Sequence, residues 1–147
     1  MRVAGQFRFA APPEVVYKLF SDKEALLSAT VGLHSLEEVE PDRWKATLKI
    51  GFGGLAVVYH GVIAITDRVP NERFHLHIAA EAQNSSGEAH ADLRFLPDGE
   101  GTVVAYEADI ELRGAQKLLP SLARGLVDYF MHGMREYLAR AKGRSPS

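Results

Sequence analysis

The chain contains no cysteine. That excludes a disulfide scaffold, a thiol nucleophile and every zinc or iron–sulfur site built on thiolates. Long apolar runs are also missing, since no stretch approaches the roughly 18 uninterrupted apolar residues that span a bilayer. The opening Met1-Arg2-Val3-Ala4-Gly5-Gln6 lacks the apolar segment of a secretory signal. Nor does charge of one sign dominate: 17 Lys/Arg against 19 Asp/Glu leave a net charge of −2. Such a balance argues against nucleic acid as the main partner. No Gly-x-Ser-x-Gly elbow, Walker loop or dinucleotide fingerprint occurs. Gly51-Phe52-Gly53-Gly54 is glycine-rich, but β-like sequence follows it, so no helix N-terminus is available there to hold phosphate. It reads as a connection between two strands. The Asn84-Ser85-Ser86 sequon reads as a turn, and the location expected is cytoplasmic, at most peripheral to a membrane.

What is present is ordinary globular material: 147 residues, 46% hydrophobic and 24% charged. This suits one domain over residues 1–142, with Gly143–Ser147 an expected disordered tail. Charge is distributed unevenly. Residues 1–112 carry 10 Lys/Arg against 17 Asp/Glu, whereas residues 113–147 carry 7 against 2. Cations at the end of a terminal helix (Arg140, Lys142) complement its dipole, and a basic element could also meet an anionic surface.

Hydrophobic periodicity divides the chain. Val3, Gly5, Phe7 and Phe9 alternate with Arg2, Ala4, Gln6 and Arg8, predicting a first strand. Ala11-Pro12-Pro13-Glu14 stops it and starts a helix with the stripe Val15, Val16, Leu19 and Phe20; Ser21-Asp22 leads into a second short helix. From about residue 34 the period is two, through about six strands. Turn signals separate them at Glu40-Pro41-Asp42, Val69-Pro70-Asn71, Asn84-Ser85-Ser86-Gly87 and Pro97–Gly101. Then Leu118, Leu122, Leu126, Phe130, Met134, Tyr137 and Leu138 recur at three- and four-residue intervals, a long amphipathic helix over about 115–141 that kinks or begins at Pro120. The expected class is α+β: an antiparallel sheet of six or seven strands wrapped on a long C-terminal helix, with two short helices after strand one.

Certain residues carry a further resemblance. They are Gly5, Ala11-Pro12-Pro13-Glu14-Val15-Val16-Tyr17, Phe20-Ser21-Asp22, Leu48-Lys49-Ile50-Gly51, Tyr59-His60-Gly61-Val62-Ile63, the Gly101–Asp109 strand and Gly114. In order and spacing they resemble the helix-grip fold of the START and polyketide-cyclase superfamily, and within it the CoxG family of carbon monoxide dehydrogenase accessory proteins. Two features depart from that family: Thr30-Val31-Gly32-Leu33 replaces its Pro-Gly pair, and its hydrophobic membrane tail is not among these residues. The resemblance implies a cavity between sheet and long helix and a role beside a molybdenum-containing hydroxylase. It supplies no catalytic motif.

On the inferred inward face Ala46, Gly61, Ala80, Ala89, Ala91 and Ala108 leave room, while Trp44, Phe52, Tyr59, Phe74, Phe95 and Tyr106 wall it. Leu126 and Phe130 are expected to close it from the helix, above a floor containing Ala89 and Ala91. Such a pocket would take an apolar molecule of lipid or quinone class, with Tyr59 and Tyr106 as polar handles because a buried phenol needs a partner. The leading expectation is thus a non-enzymatic ligand-binding accessory protein without cofactor. Two alternatives are a cyclase-like enzyme in which Tyr59, Tyr106 or a histidine polarises an aromatic substrate, and an assembly module without ligand.

His75, His77, His90 and Asp92 share the outward face of two adjacent strands and could converge on a cation. Mixed with Arg73, Arg94 and Glu81 they read as a solvated surface, so no metal is expected. Glu107, Asp109 and Glu111 likewise read as solvation rather than an acid–base pair. Along Leu55–Asp67 the outward series Ala56, Val58, His60, Val62, Ala64 and Thr66 has no formal charge apart from protonation of His60. Val58, Val62 and Ala64 are therefore expected to meet another chain, in a homodimer or in the partner enzyme.

Overall fold

Alternation of period two, interrupted by residues that tolerate left-handed backbone, builds one antiparallel sheet. The computed structural model describes residues 1–52, 55–114 and 120–144, with side chains described outside 50–52, 55, 120–122 and 142–144. Among the described residues, seven strands and three helices follow one another. They are β1 (Arg2–Phe9), α1 (Pro13–Leu19), α2 (Lys23–Ala29), β2 (Leu33–Glu40), β3 (Arg43–Phe52), β4 (Leu55–Val69), β5 (Arg73–Ala82), β6 (Ser85–Asp98), β7 (Gly101–Gly114) and α3 (Pro120–Arg144). The sheet order is β1-β7-β6-β5-β4-β3-β2. Consecutive strands from β2 to β7 are neighbours, and β1 closes onto β7, as hairpin connections dictate. Asp42 and Asn71 adopt φ of 64° and 66° in two of the expected turns, conformations that Asn and Asp tolerate better than most residues.

Pro13 opens α1 at a position where a missing N–H costs nothing. Thr102, fully buried, donates its hydroxyl to the Ala11 carbonyl at 2.7 Å, tying the start of β7 to the start of α1. The Gly-Thr and Ala-Pro-Pro-Glu signatures thus hold each other in place. Across the β1–β7 pair Gly5 lies opposite Tyr106, whose ring covers it; a Cβ there would meet the phenol oxygen at 2.7 Å.

The core fills one end of the inner face. Phe95 packs on Tyr17, Phe20 and Phe74 with ring centroids 5.2, 5.4 and 5.6 Å away, and Phe20 reaches Phe9 and Phe130. Arg68, near the end of β4, clamps this end from outside. Its guanidinium makes a bidentate pair with Asp42 at 2.7 and 2.8 Å and also donates to the Tyr17 and Ser21 hydroxyls. It stands 5.7 and 5.6 Å from the Tyr17 and Phe74 ring centres. One side chain thereby joins the β2–β3 turn, α1 and the α1–α2 link.

Three expectations are corrected. The described part of the helix runs from Pro120, residues 115–119 lying outside the described residues, and its buried stripe is Ala123, Met131, Met134 and Leu138, with Val127, Phe130 and Tyr137 partly buried. Leu126 is 42% exposed. The reason is angular: repeated steps of four overshoot a turn of 3.6 residues, so Leu126 lies about 80° round the axis from Met134. The Leu118 and Leu122 side chains lie outside the described residues. Second, α3 docks on α2 and β1 rather than on the floor at Ala89 and Ala91, which stays partly exposed. Gly133 sits against Ala29, and Arg135 donates to the Arg8 carbonyl while lying 4.0 Å over the Phe7 ring. Third, Ser85, Ser86 and Gly87 already belong to β6, because the β5–β6 turn is the two-residue link Gln83-Asn84.

Candidate functional site: the inner face of the sheet

Register places small residues in line. Ala46, Gly61, Ala80 and Gly87 are successive partners across β3, β4, β5 and β6. The next rung inward is Ile63, Ile78, Ala89 and Ile110, and the one after it is Ile65, Leu76, Ala91 and Ala108. Of these, Ile63, Leu76, Ile78, Ala80, Ala89, Ala91, Ala108 and Ile110 are only partly covered, although they face the side that carries the core. This is a broad apolar floor with low side-chain relief. Gly61 has the Ala79 carbonyl and the Ala80 methyl beside it, where a Cβ would come within 3.2 and 3.5 Å.

The aromatic residues expected to wall a pocket fall into two groups. Phe74 and Phe95 belong to the buried aromatic cluster, with Phe130 against its edge. Trp44 and Tyr106 are buried in the same core without a ring contact to that cluster among the described residues, and Tyr59 is buried outside it. The Tyr59 hydroxyl is 3.0 Å from Ser85 Oγ, the partner its burial demands and one that the sequence reading missed. Burial first, then the Asp128 carboxylate, raises the Tyr106 phenol above its ordinary range, with Arg124 opposing. The Phe52 side chain lies outside the described residues, as do Gly53 and Gly54.

A groove of about 730 Å³ opens beside this floor where α2 meets β2, β3 and β4; Leu27, Leu36, Ala46 and Gly61 line it with Lys23 and His60 among its polar residues. Of the residues expected to contact a ligand, Gly61 lines it, while Trp44, Tyr59, Phe74, Ala80, Ala91, Phe95, Tyr106 and Phe130 lie outside its lining. Leu126 is turned away from Met134 and the core.

The outer face carries a different chemistry. His75 Nδ1 faces Asp92 at 3.0 Å, and His77 Nε2 and His90 Nε2 face Glu88 Oε1 at 3.0 and 3.2 Å. Hydrogen bonds from His77 and His90 hold the Glu88 carboxyl below the usual carboxylate range. Glu88 was not singled out from sequence. A turn centred on Ser85-Ser86 would have set His77 opposite Arg94, whereas the observed register sets it opposite His90. On β4, Val58 and Val62 are 42% and 40% exposed, as their outward placement requires.

A seven-stranded antiparallel sheet with two short helices after its first strand and a long C-terminal helix is the START/polyketide-cyclase fold. Solved structures agree. A conserved protein from Geobacillus kaustophilus superposes with TM-score 0.87 at 24% identity, covering 96% of this chain and 97% of that one. A START superfamily protein from Mycobacterium smegmatis gives 0.70 at 13% identity, over 95% and 98%. The Zhui aromatase/cyclase from Streptomyces gives 0.65 at 16% identity, over 95% and 94%. No curated protein matches the chain. Within that fold the chain belongs to the carbon monoxide dehydrogenase G-subunit (CoxG) family, whose model matches residues 5–139. Among the described residues no helix is long and apolar enough to cross a membrane.

Proposed function

We propose that this chain binds a hydrophobic small molecule, of lipid or quinone class, between the sheet and α3, as an accessory to a molybdenum-containing hydroxylase such as carbon monoxide dehydrogenase. The observation that carries the reading is the partly uncovered apolar floor Ile63, Leu76, Ile78, Ala80, Ala89 and Ala91. Close-packed interiors seldom leave such a face unfilled. Each 100 Å² of apolar ligand surface withdrawn from water there contributes about 2.5 kcal/mol. The family supports the partner enzyme, and the fold supports a ligand site.

The chemistry is that of holding rather than converting. The Tyr59–Ser85 pair offers one polar anchor at the floor's edge, suited to the carbonyl or hydroxyl of an otherwise apolar molecule. Replacing Ala91 by Trp fills the centre of the floor and should abolish uptake of an apolar fluorescent probe in a protein that still folds. Unchanged uptake by that variant would count against the site. The exposed Val58 and Val62 are the surface through which a second chain docks in this account. Light scattering should show a dimer that Val58→Lys with Val62→Glu converts to monomer, or the same changes should weaken docking on the partner enzyme; a wild-type monomer whose partner tolerates both changes contradicts that part.

A further inference from the structure

Two histidines directly opposite each other on neighbouring antiparallel strands hold their side chains within a few ångströms. His77 on β5 and His90 on β6 are such a pair. Their rings lie 4.3 Å apart with planes 8° from parallel, and both Nε2 atoms face the same Glu88 oxygen. The carboxylate of Glu88 closes the group. Its Oε1 is 3.0 Å from His77 Nε2 and 3.2 Å from His90 Nε2, and all three ligand atoms lie within 4.8 Å of one another. In a tetrahedral site with ligand bonds near 2.0–2.2 Å, neighbouring ligand atoms are separated by about 3.3 Å. Two edges of that tetrahedron already match to within a few tenths of an ångström.

The second layer is also in place. His90 Nδ1 faces His75 Nε2 at 3.4 Å, and His75 Nδ1 faces Asp92 Oδ1 at 3.0 Å. When an ion replaces the His90 Nε2–H bond to Glu88, His90 Nδ1–H donates to His75 and His75 Nδ1–H donates to Asp92, so both rings stay neutral. His90 Nε2 then presents a lone pair. A carboxylate–histidine support of this kind fixes the tautomer of metal-ligating imidazoles. Charge agrees as well: Asp109 on β7 is the strand partner of His90, Glu111 that of Glu88, and Glu107 that of Asp92. Arg113 offsets part of this through its ion pair with Glu111 at 3.1 Å.

We propose that His77, Glu88 and His90 form a binding site for a divalent transition-metal ion of the zinc class on the outer face of the sheet, with His75 and Asp92 orienting His90. Coordination requires the stacked rings to tilt towards each other by side-chain rotation, which their partial exposure permits. A water molecule completes the set. The donor chemistry, two imidazoles and one carboxylate, favours zinc, cobalt, nickel or copper over magnesium or calcium.

The test is calorimetric titration of the untagged protein with zinc chloride, and with cobalt chloride followed by visible absorption. The expected result is saturable binding of one ion per chain with the intense bands of four-coordinate cobalt. His77→Gln and His90→Gln should each abolish it. Asp92→Asn should weaken it by about 10- to 100-fold, the usual consequence of losing an outer support. His90 and Asp92 are exposed and His77 is partly exposed, and circular dichroism checks the folding of all three variants. Absence of saturable binding, or binding that survives His77→Gln with His90→Gln in a folded protein, overturns the proposal.

Discussion

Two glycines of α3 make opposite predictions from the same chemical change. Gly125 is exposed, and a Cβ added there would meet nothing within 4 Å. Gly133 faces α2, where a Cβ would lie 2.9 Å from Ala29 Cα and 3.0 Å from Ala29 Cβ. Alanine improves a helix interior by about 1 kcal/mol over glycine. Gly125→Ala should therefore stabilise by up to about 1 kcal/mol. At Gly133 the same gain is opposed by overpacking against another helix's backbone, which costs about 1–3 kcal/mol. Gly133→Ala should be destabilising by about 1 kcal/mol net. Both variants lose the same unfolded-state entropy, so it cancels in their difference of about 2 kcal/mol. Urea unfolding should resolve it, and thermal melts should separate the two by about 4–8 °C at about 2–4 °C per kcal/mol. If Gly133→Ala stabilised as much as Gly125→Ala, α3 would not dock on α2 through this contact.

Three more predictions concern packing and charge. Met134, fully buried, should lose about 2–5 kcal/mol on replacement by Ala, whereas Leu126→Asp should change stability by less than about 1 kcal/mol; chemical denaturation measures both. Arg68→Met should cost about 2 kcal/mol, reduced from the sum of its hydrogen bonds because the pair with Asp42 is partly exposed, and the loss should shrink in an Asp42→Asn background in a double-mutant cycle. Because burial raises the Tyr106 phenol above its ordinary value of about 10, its contribution to stability is complete below that pH and disappears as pH rises through the folded value. Tyr106→Phe should therefore melt less steeply than wild type as pH increases past about 10, and identical pH dependence would contradict the assignment.

The element order was legible because alternation and turn residues agreed over long stretches. Trp44 to Ile50 and Val104 to Ile110 each offered one apolar face, and that period admits no helix. Phase was harder to read. Leu126 and Met134 look equivalent at four-residue spacing, and only the docking of Gly133 on Ala29 shows which face turns inward. The same holds for register. The sequence marks a turn at Asn84-Ser85-Ser86-Gly87, yet the chain turns at Gln83-Asn84, and that shift decides whether His77 meets His90 or Arg94. The inner face was foreseen in composition, since Ala46, Gly61, Ala80 and Ala91 were picked out as small. That Phe74 and Phe95 join a core with Tyr17 and Phe20 depends on where α1 lies, which strand patterns do not encode.

The central claim is that the sheet's inner face holds an apolar molecule. Purified protein, extracted with organic solvent and analysed by mass spectrometry beside its Ala91→Trp variant, tests it most directly. The account predicts a lipid- or quinone-class molecule present near one per chain in the wild type and depleted in the variant. An extract free of such molecules, from wild-type protein that also takes up none when they are supplied, would contradict it.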